Sequence, residues 1–334
     1  MTQAPRVSAR PKRYPPPEFP PRRAKLFART PPAIFPPILG LLGLAAALRL
    51  MLGRLGWDQG PGDLLAGLAV TLWAFGALAY GVKLARRPAV VIEDLRVLPG
   101  RSGLAALTMG GMAAAGLLAA YSGPVAAVLL VLSLVGHAAL AVLLARLLLS
   151  LPPEARAVNP TLHLSFVGFI VAAAPALTLG WGTLAEAVFW TMLPVALGIW
   201  GLSLWQFAKR VPPAPLRPLL AIHLAPAALL GMVAGMLAMP ELGVMFAGFG
   251  LVYAIVLLAS VRWLLETGVT AMWGAFTFPL AALAMALMVS GGVWLWPGVV
   301  LTVVALAVNP SVLWWVLKRW PGGKLATVTN AAEA

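Results

Sequence analysis

Ten apolar stretches follow one another along this chain, separated by short polar connections, and they leave a soluble fold almost no room. A helix rising 1.5 Å per residue needs about 20 apolar residues to cross a hydrocarbon core of about 30 Å. The stretches at 34–52, 64–84, 104–121, 125–149, 162–179, 184–207, 219–239, 242–265, 271–289 and 293–317 meet that requirement. Only 10% of the residues are charged and 61% are hydrophobic, against about 25% charged in an average soluble domain. The pattern predicts an all-α integral membrane protein of ten transmembrane helices. Asn309-Pro310 lies inside the tenth span, where a kink or break is expected. The predicted organisation is a basic, proline-rich and disordered tail at 1–33, a membrane domain at 34–317 and a second tail at 318–334. No cleavable signal peptide is visible in the first tail.

A net charge of +14 suggests nucleic acid until its distribution is examined. The N-terminal tail carries eight of the 24 Lys and Arg, the connections after the even spans carry eleven, and the C-terminal tail carries Lys318, Arg319 and Lys324. Arg49 and Arg54 alone fall on the other side. By the positive-inside rule both tails are predicted to be cytoplasmic, in a bacterial-type inner membrane, with anionic lipid headgroups as secondary partners and no nucleic acid.

Little in the sequence can do covalent chemistry. There is no cysteine, which excludes disulfides and thiolate metal sites. Of the ten acidic residues only Glu186 enters a span, near one end, so no mid-depth carboxylate is placed to carry protons or bind sodium. No HExxH, GxSxG or aspartate-rich cluster occurs, and no enzyme, cofactor or metal is expected. His137 lies halfway along the fourth span, where a packing hydrogen bond is its ordinary role. His163 and His223 open the fifth and seventh spans at their cytoplasmic ends. They could border a pore mouth or simply cap helix ends.

The spans pair into five hairpins that begin near residues 34, 104, 162, 219 and 271. Four of the turns on the outer side are very short, and the one larger loop there is 53–63. Proline recurs in the odd spans, with Pro36 and Pro37 in the first, Pro175 in the fifth, Pro226 in the seventh and Pro279 in the ninth, although Pro194 also interrupts the sixth and Pro297 and Pro310 the tenth. The third has Gly110-Gly111 instead. A mid-helix proline frees a carbonyl, which a membrane tolerates where that carbonyl faces protein or a water-filled cavity. The odd spans are therefore predicted to form an inner ring around a cavity, with these residues as kinks. The alternative for the glycines is close helix packing.

Three segments carry a family resemblance. They are Asn159-Pro-Thr-Leu-His-Leu-Ser-Phe-Val-Gly168 with Gly180-Trp181, Ile222-His-Leu-Ala-Pro226-Ala, and Trp273-Gly-Ala-Phe-Thr-Phe278-Pro279-Leu. In order and spacing these resemble the tellurite-resistance/dicarboxylate transporter family, which includes the slow anion channels of plant guard cells. The resemblance spans about 35–317. It implies five hairpins in quasi-fivefold arrangement around a central pore, three protomers each with its own pore, and a phenylalanine plug in the ninth helix that maps to Phe278, not Phe276. It further implies a gated channel or uniporter for small anions such as chloride, nitrate or tellurite-type oxyanions, with a proton-coupled dicarboxylate (malate) carrier as the alternative. No Lys or Arg lies at mid-depth in an odd span, so any anion would be held weakly and pass by its dehydration cost.

Overall fold

The computed structural model of the protein describes residues 25–152 and 156–334. Among these there is no strand, and eight segments are long and apolar enough to cross a membrane. The chain is an all-α membrane protein. In order it forms α1 (Phe35–Arg54), α2 (Gly60–Arg86), the short α3 (Val90–Arg96), α4 (Leu98–Leu118) and α5 (Gly123–Ser150). Then come α6 (Ala173–Thr178), α7 (Gly182–Lys209), α8 (Leu224–Met236), α9 (Pro240–Ala259), the single turn α10 (Val261–Leu264), α11 (Gly274–Ser290), α12 (Leu295–Leu317) and α13 (Lys324–Val328). The fifth expected span is not one α-helix. It is a π turn at His163–Val167, a 3-10 stretch at Gly168–Ala172 and then α6.

Burial divides the helices into two sets. In the first, seventh and ninth expected spans, 78%, 83% and 72% of the residues are buried, and α4 and the broken fifth span are also largely buried. In α2, α5, α7, α9 and α12 the share is 17–33%. The buried set closes a ring: α1 packs on α4, α4 on the fifth span, that span on α8, α8 on α11, and α11 back on α1. Each outer helix lies on the inner helix before it and leans on the next one. The outward faces carry exposed Leu, Val, Trp and Phe, as a lipid-facing surface must when no water competes for it. α12 runs unbroken through Pro310. The lost bond to the carbonyl of Leu306 does not stop the helix, because one missing bond is compatible with a membrane helix held by neighbours.

Both described termini meet at one end, the tail side. Residues 25–33, assigned from sequence to the disordered tail, are packed where they are described: Ala28 and Thr30 are buried, and Arg86 donates to the Leu26 carbonyl. The rest of that tail, 1–24, lies outside the described residues. Lys83 and Asp94 form a fully buried ion pair at 2.9 Å. The Lys83 ammonium also donates to the Thr30 carbonyl (3.1 Å), and the Tyr80 hydroxyl donates to Asp94 (2.9 Å). The other Asp94 oxygen accepts from the Ala332 amide at 2.8 Å, and Arg29 pairs with Glu333. A buried charge with this many partners escapes the several kcal/mol that an unpaired one would cost. The C-terminal segment is thereby clasped onto the base of the ring.

Candidate functional site

Among the described residues, the inner ring bounds a pair of cavities that meet at one side chain. On the far side from the tails lies a cavity of about 560 Å³. Its walls come from α1 (Leu42, Gly43, Ala46), α4 (Ala113, Gly116), the fifth span (Val171, Pro175), α8 (Leu229, Met232) and α11 (Met285). On the tail side lies a cavity of only about 30 Å³, bounded by Pro36, Leu39, Ala106, Leu164, Ile222 and Met272. That is room for about one or two waters. All five inner helices contribute to each. Phe278 is the one residue that lines both, and its side chain is 5% exposed.

Local sequence explains why the ring stands there. Thr277 and Gly40 let α11 and α1 approach so closely that a Cβ on Gly40 would lie 2.3 Å from the Cβ of Thr277. The Thr277 hydroxyl donates to the Gly274 carbonyl at 2.8 Å and to the Pro36 carbonyl across the seam at 3.3 Å. Asn309 of α12 reaches in from the outer ring and donates to the carbonyls of Gly40 (2.9 Å) and Thr277 (3.2 Å). Phe278 then lies against Gly43, whose missing Cβ would come 3.0 Å from the ring edge. Pro279 leaves the Ala275 carbonyl without its helical donor. Phe276 instead packs edge-on against Trp273.

The other prolines mark changes of helix type rather than bends within one α-helix. Pro175 and Pro226 are each the third residue of their α segments, directly after 3-10 stretches. A missing N–H costs little in a first turn, so the residues upstream take the tighter helix. The first and ninth spans open likewise, with 3-10 turns at Pro32–Ile34 and Ala271–Trp273. Gly110 and Gly111 line neither cavity. Added Cβ atoms there would meet Trp73 at 2.7 Å and the Ser133 hydroxyl at 2.2 Å, so these glycines admit α2 and α5.

The histidines also stand away from the cavities. His163 and His223 hydrogen-bond each other at 2.9 Å, buried, with the Trp200 indole donating to the His223 carbonyl. Neither lines a cavity; their neighbours Leu164 and Ile222 do. A helix turns about 100° per residue, so a neighbour in the cavity wall places the histidine to one side of it. His137 is fully buried, 2.7 Å from the Thr108 hydroxyl and edge-on to Phe169. Among the described residues no group of His, Asp and Glu could hold a metal ion.

Arg49 has more to do than its place outside the basic loops suggests. It lines the far-side cavity together with Arg54 and Gln59, and no acidic residue does. Its Nε lies 2.9 Å from Asp63, at the start of α2, and its Nη1 donates to the Leu117 carbonyl at 3.3 Å. The family described as voltage-dependent anion channel matches the chain over residues 29–317. No curated protein matches it.

Proposed function

The chain belongs to the voltage-dependent anion channel family, and on that premise we propose that it is a gated pore for small anions plugged by Phe278. Family membership makes it a multi-pass membrane protein of anion transport rather than an enzyme. The finer reading is a pore selecting chloride, nitrate or tellurite-type oxyanions. It has ten crossings, both tails in the cytoplasm of a bacterial-type cell, and a homotrimeric assembly with one pore per protomer.

The observation that carries the plug is that Phe278 is the single residue common to the two cavities. With its ring in place the far-side cavity ends blind. The ring rests on Gly43, where there is no side chain to pin it, so a rotamer change can carry it off the axis. The walls are apolar at this depth, and only Ser102 offers a hydroxyl on the tail side. An anion passing there sheds most of its water without strong replacement, which favours ions of low dehydration cost and allows quick departure. The buried His163–His223 pair lies off this route, so the geometry lends the proton-coupled carrier no group along it.

Purified wild type and Phe278→Ala are compared in liposomes for chloride and nitrate flux. Low wild-type flux, at least about a tenfold rise in the variant (equivalent to about 1.4 kcal/mol) and nitrate ahead of chloride are expected. Equal passage of cations would sink the anion reading. Silence toward both anions, with malate accumulating against its gradient under an imposed pH difference, would put the carrier in its place.

A further inference from the structure

The far-side cavity has one chemical feature that the plugged-pore reading does not use. Its walls are apolar except at the mouth, and the only charges on them belong to Arg49 and Arg54. A concave site with low-dielectric walls and one sign of charge concentrates the opposite ion. Arg54 is exposed at the rim. Arg49 is held: its side chain is only 21% exposed, it is braced by Asp63 and the Leu117 carbonyl, and its guanidinium carbon lies 5.7 Å from the centre of the Tyr121 ring. A guanidinium has five N–H donors, and those two partners leave donors free beside the cavity.

We propose that Arg49 is an anion-binding station in the outer vestibule, taking small monovalent inorganic anions, and that Asp63 keeps the station weak by sharing the same guanidinium. This rests on the anion-pore reading and names where that pore first holds its ion. A bare arginine in an apolar vestibule would bind an anion too long to pass it on, since conduction needs departure as well as arrival. Asp63 half-neutralises Arg49 from outside the cavity wall, so the incoming anion competes with a resident carboxylate. The station is on the side away from the described termini, where Arg49 and Arg54 are the only basic residues among the described ones, and so it supplies attraction at that end.

Two measurements test it. In detergent or nanodiscs, chloride binding is read from the quadrupolar broadening of the chloride NMR line for the full chain and for Arg49→Gln, Arg49→Lys and Asp63→Asn. Arg49→Gln should lose a component that Arg49→Lys retains, and Asp63→Asn should strengthen it. In the Phe278→Ala background, single-channel current is followed as chloride is raised on the Arg49 side alone. Arg49→Gln should raise the half-saturating concentration about three- to tenfold at low salt, the effect of one partly screened charge. Asp63→Asn should lower it, and raising chloride on the tail side should show neither change. Unchanged broadening in Arg49→Gln, or an unchanged half-saturation, overturns the station even though the pore conducts. Loss of broadening in Arg49→Gln with a silent Phe278→Ala keeps the station and removes the plug. An Asp63→Asn effect of the same sign as Arg49→Gln overturns the competition.

Discussion

Replacing Gly40 by alanine tests the seam on which Phe278 is mounted. The new methyl would stand 2.3 Å from the Thr277 Cβ and 3.2 Å from the Phe278 backbone nitrogen. Carbon atoms in contact rest at about 3.5–4.0 Å. The overlap exceeds about 1 Å and cannot be relieved by a rotamer, because Cβ positions follow the backbone. α1 and α11 must therefore separate, which also stretches the two bonds from Asn309. Overpacking of this kind costs about 1–3 kcal/mol, and the rigid partner puts Gly40→Ala at the upper end, about 2–3 kcal/mol. At about 1.4 kcal/mol per decade this is about a 30- to 140-fold fall in the folding equilibrium. Equilibrium unfolding in mixed micelles with increasing SDS reads it directly. Thr277→Gly removes the opposing Cβ, so the double variant should recover at least about 1 kcal/mol relative to the sum of the singles. Strict additivity, or a Gly40→Ala protein as stable as wild type, would refute the close contact and with it the account of how the ring is held.

Asn309→Ala removes both bonds from α12 to the seam, and at about 1 kcal/mol each should cost about 1–2 kcal/mol in the same unfolding assay. A change within about 0.3 kcal/mol would mean that Asn309 is a passenger. Lys83→Met leaves the buried Asp94 carboxylate with Tyr80 and the Ala332 amide alone, and breaking such a pair costs about 3–5 kcal/mol. Yield and melting temperature should fall sharply and recover in Lys83→Met/Asp94→Leu; an undisturbed single variant would remove the clasp from the account.

Much of the fold is legible because a membrane simplifies the physics. Span positions follow from apolar length, and the inner ring follows from where prolines and small residues collect. The structure places those same spans inside and the bulky, branched faces of α2, α5, α7, α9 and α12 outside. What was not legible depends on pairs distant in sequence. Nothing local tells that Gly110 and Gly111 admit Trp73 and Ser133, or that Asn309 crosses 269 positions to reach Gly40. The sequence indicates kinks at Pro175 and Pro226 but not the 3-10 and π turns upstream of them, since a proline announces a missing donor and not how the upstream carbonyls adjust. Sequence depth leaves both a pore mouth and a helix cap open for His163 and His223. Depth is a one-dimensional quantity, and the side of the helix they occupy was decided by each other. Residues 25–33 and the C-terminal segment look like spare charged tail until Lys83 and Asp94 are seen to need them.

The inequality of the two cavities has a pharmacological consequence. A space of about 560 Å³ is within the range of small-molecule sites, whereas about 30 Å³ admits no organic ligand. On the plugged-pore reading proposed above, a competitive blocker would have to arrive from the end away from the described termini. It would be a compact anion with an apolar body, its acid group at Arg49 and its hydrocarbon against Leu42, Val171 and Met232, stopping above the Phe278 ring. On the same reading, the compound applied from the other face would meet only the small space below the Phe278 ring.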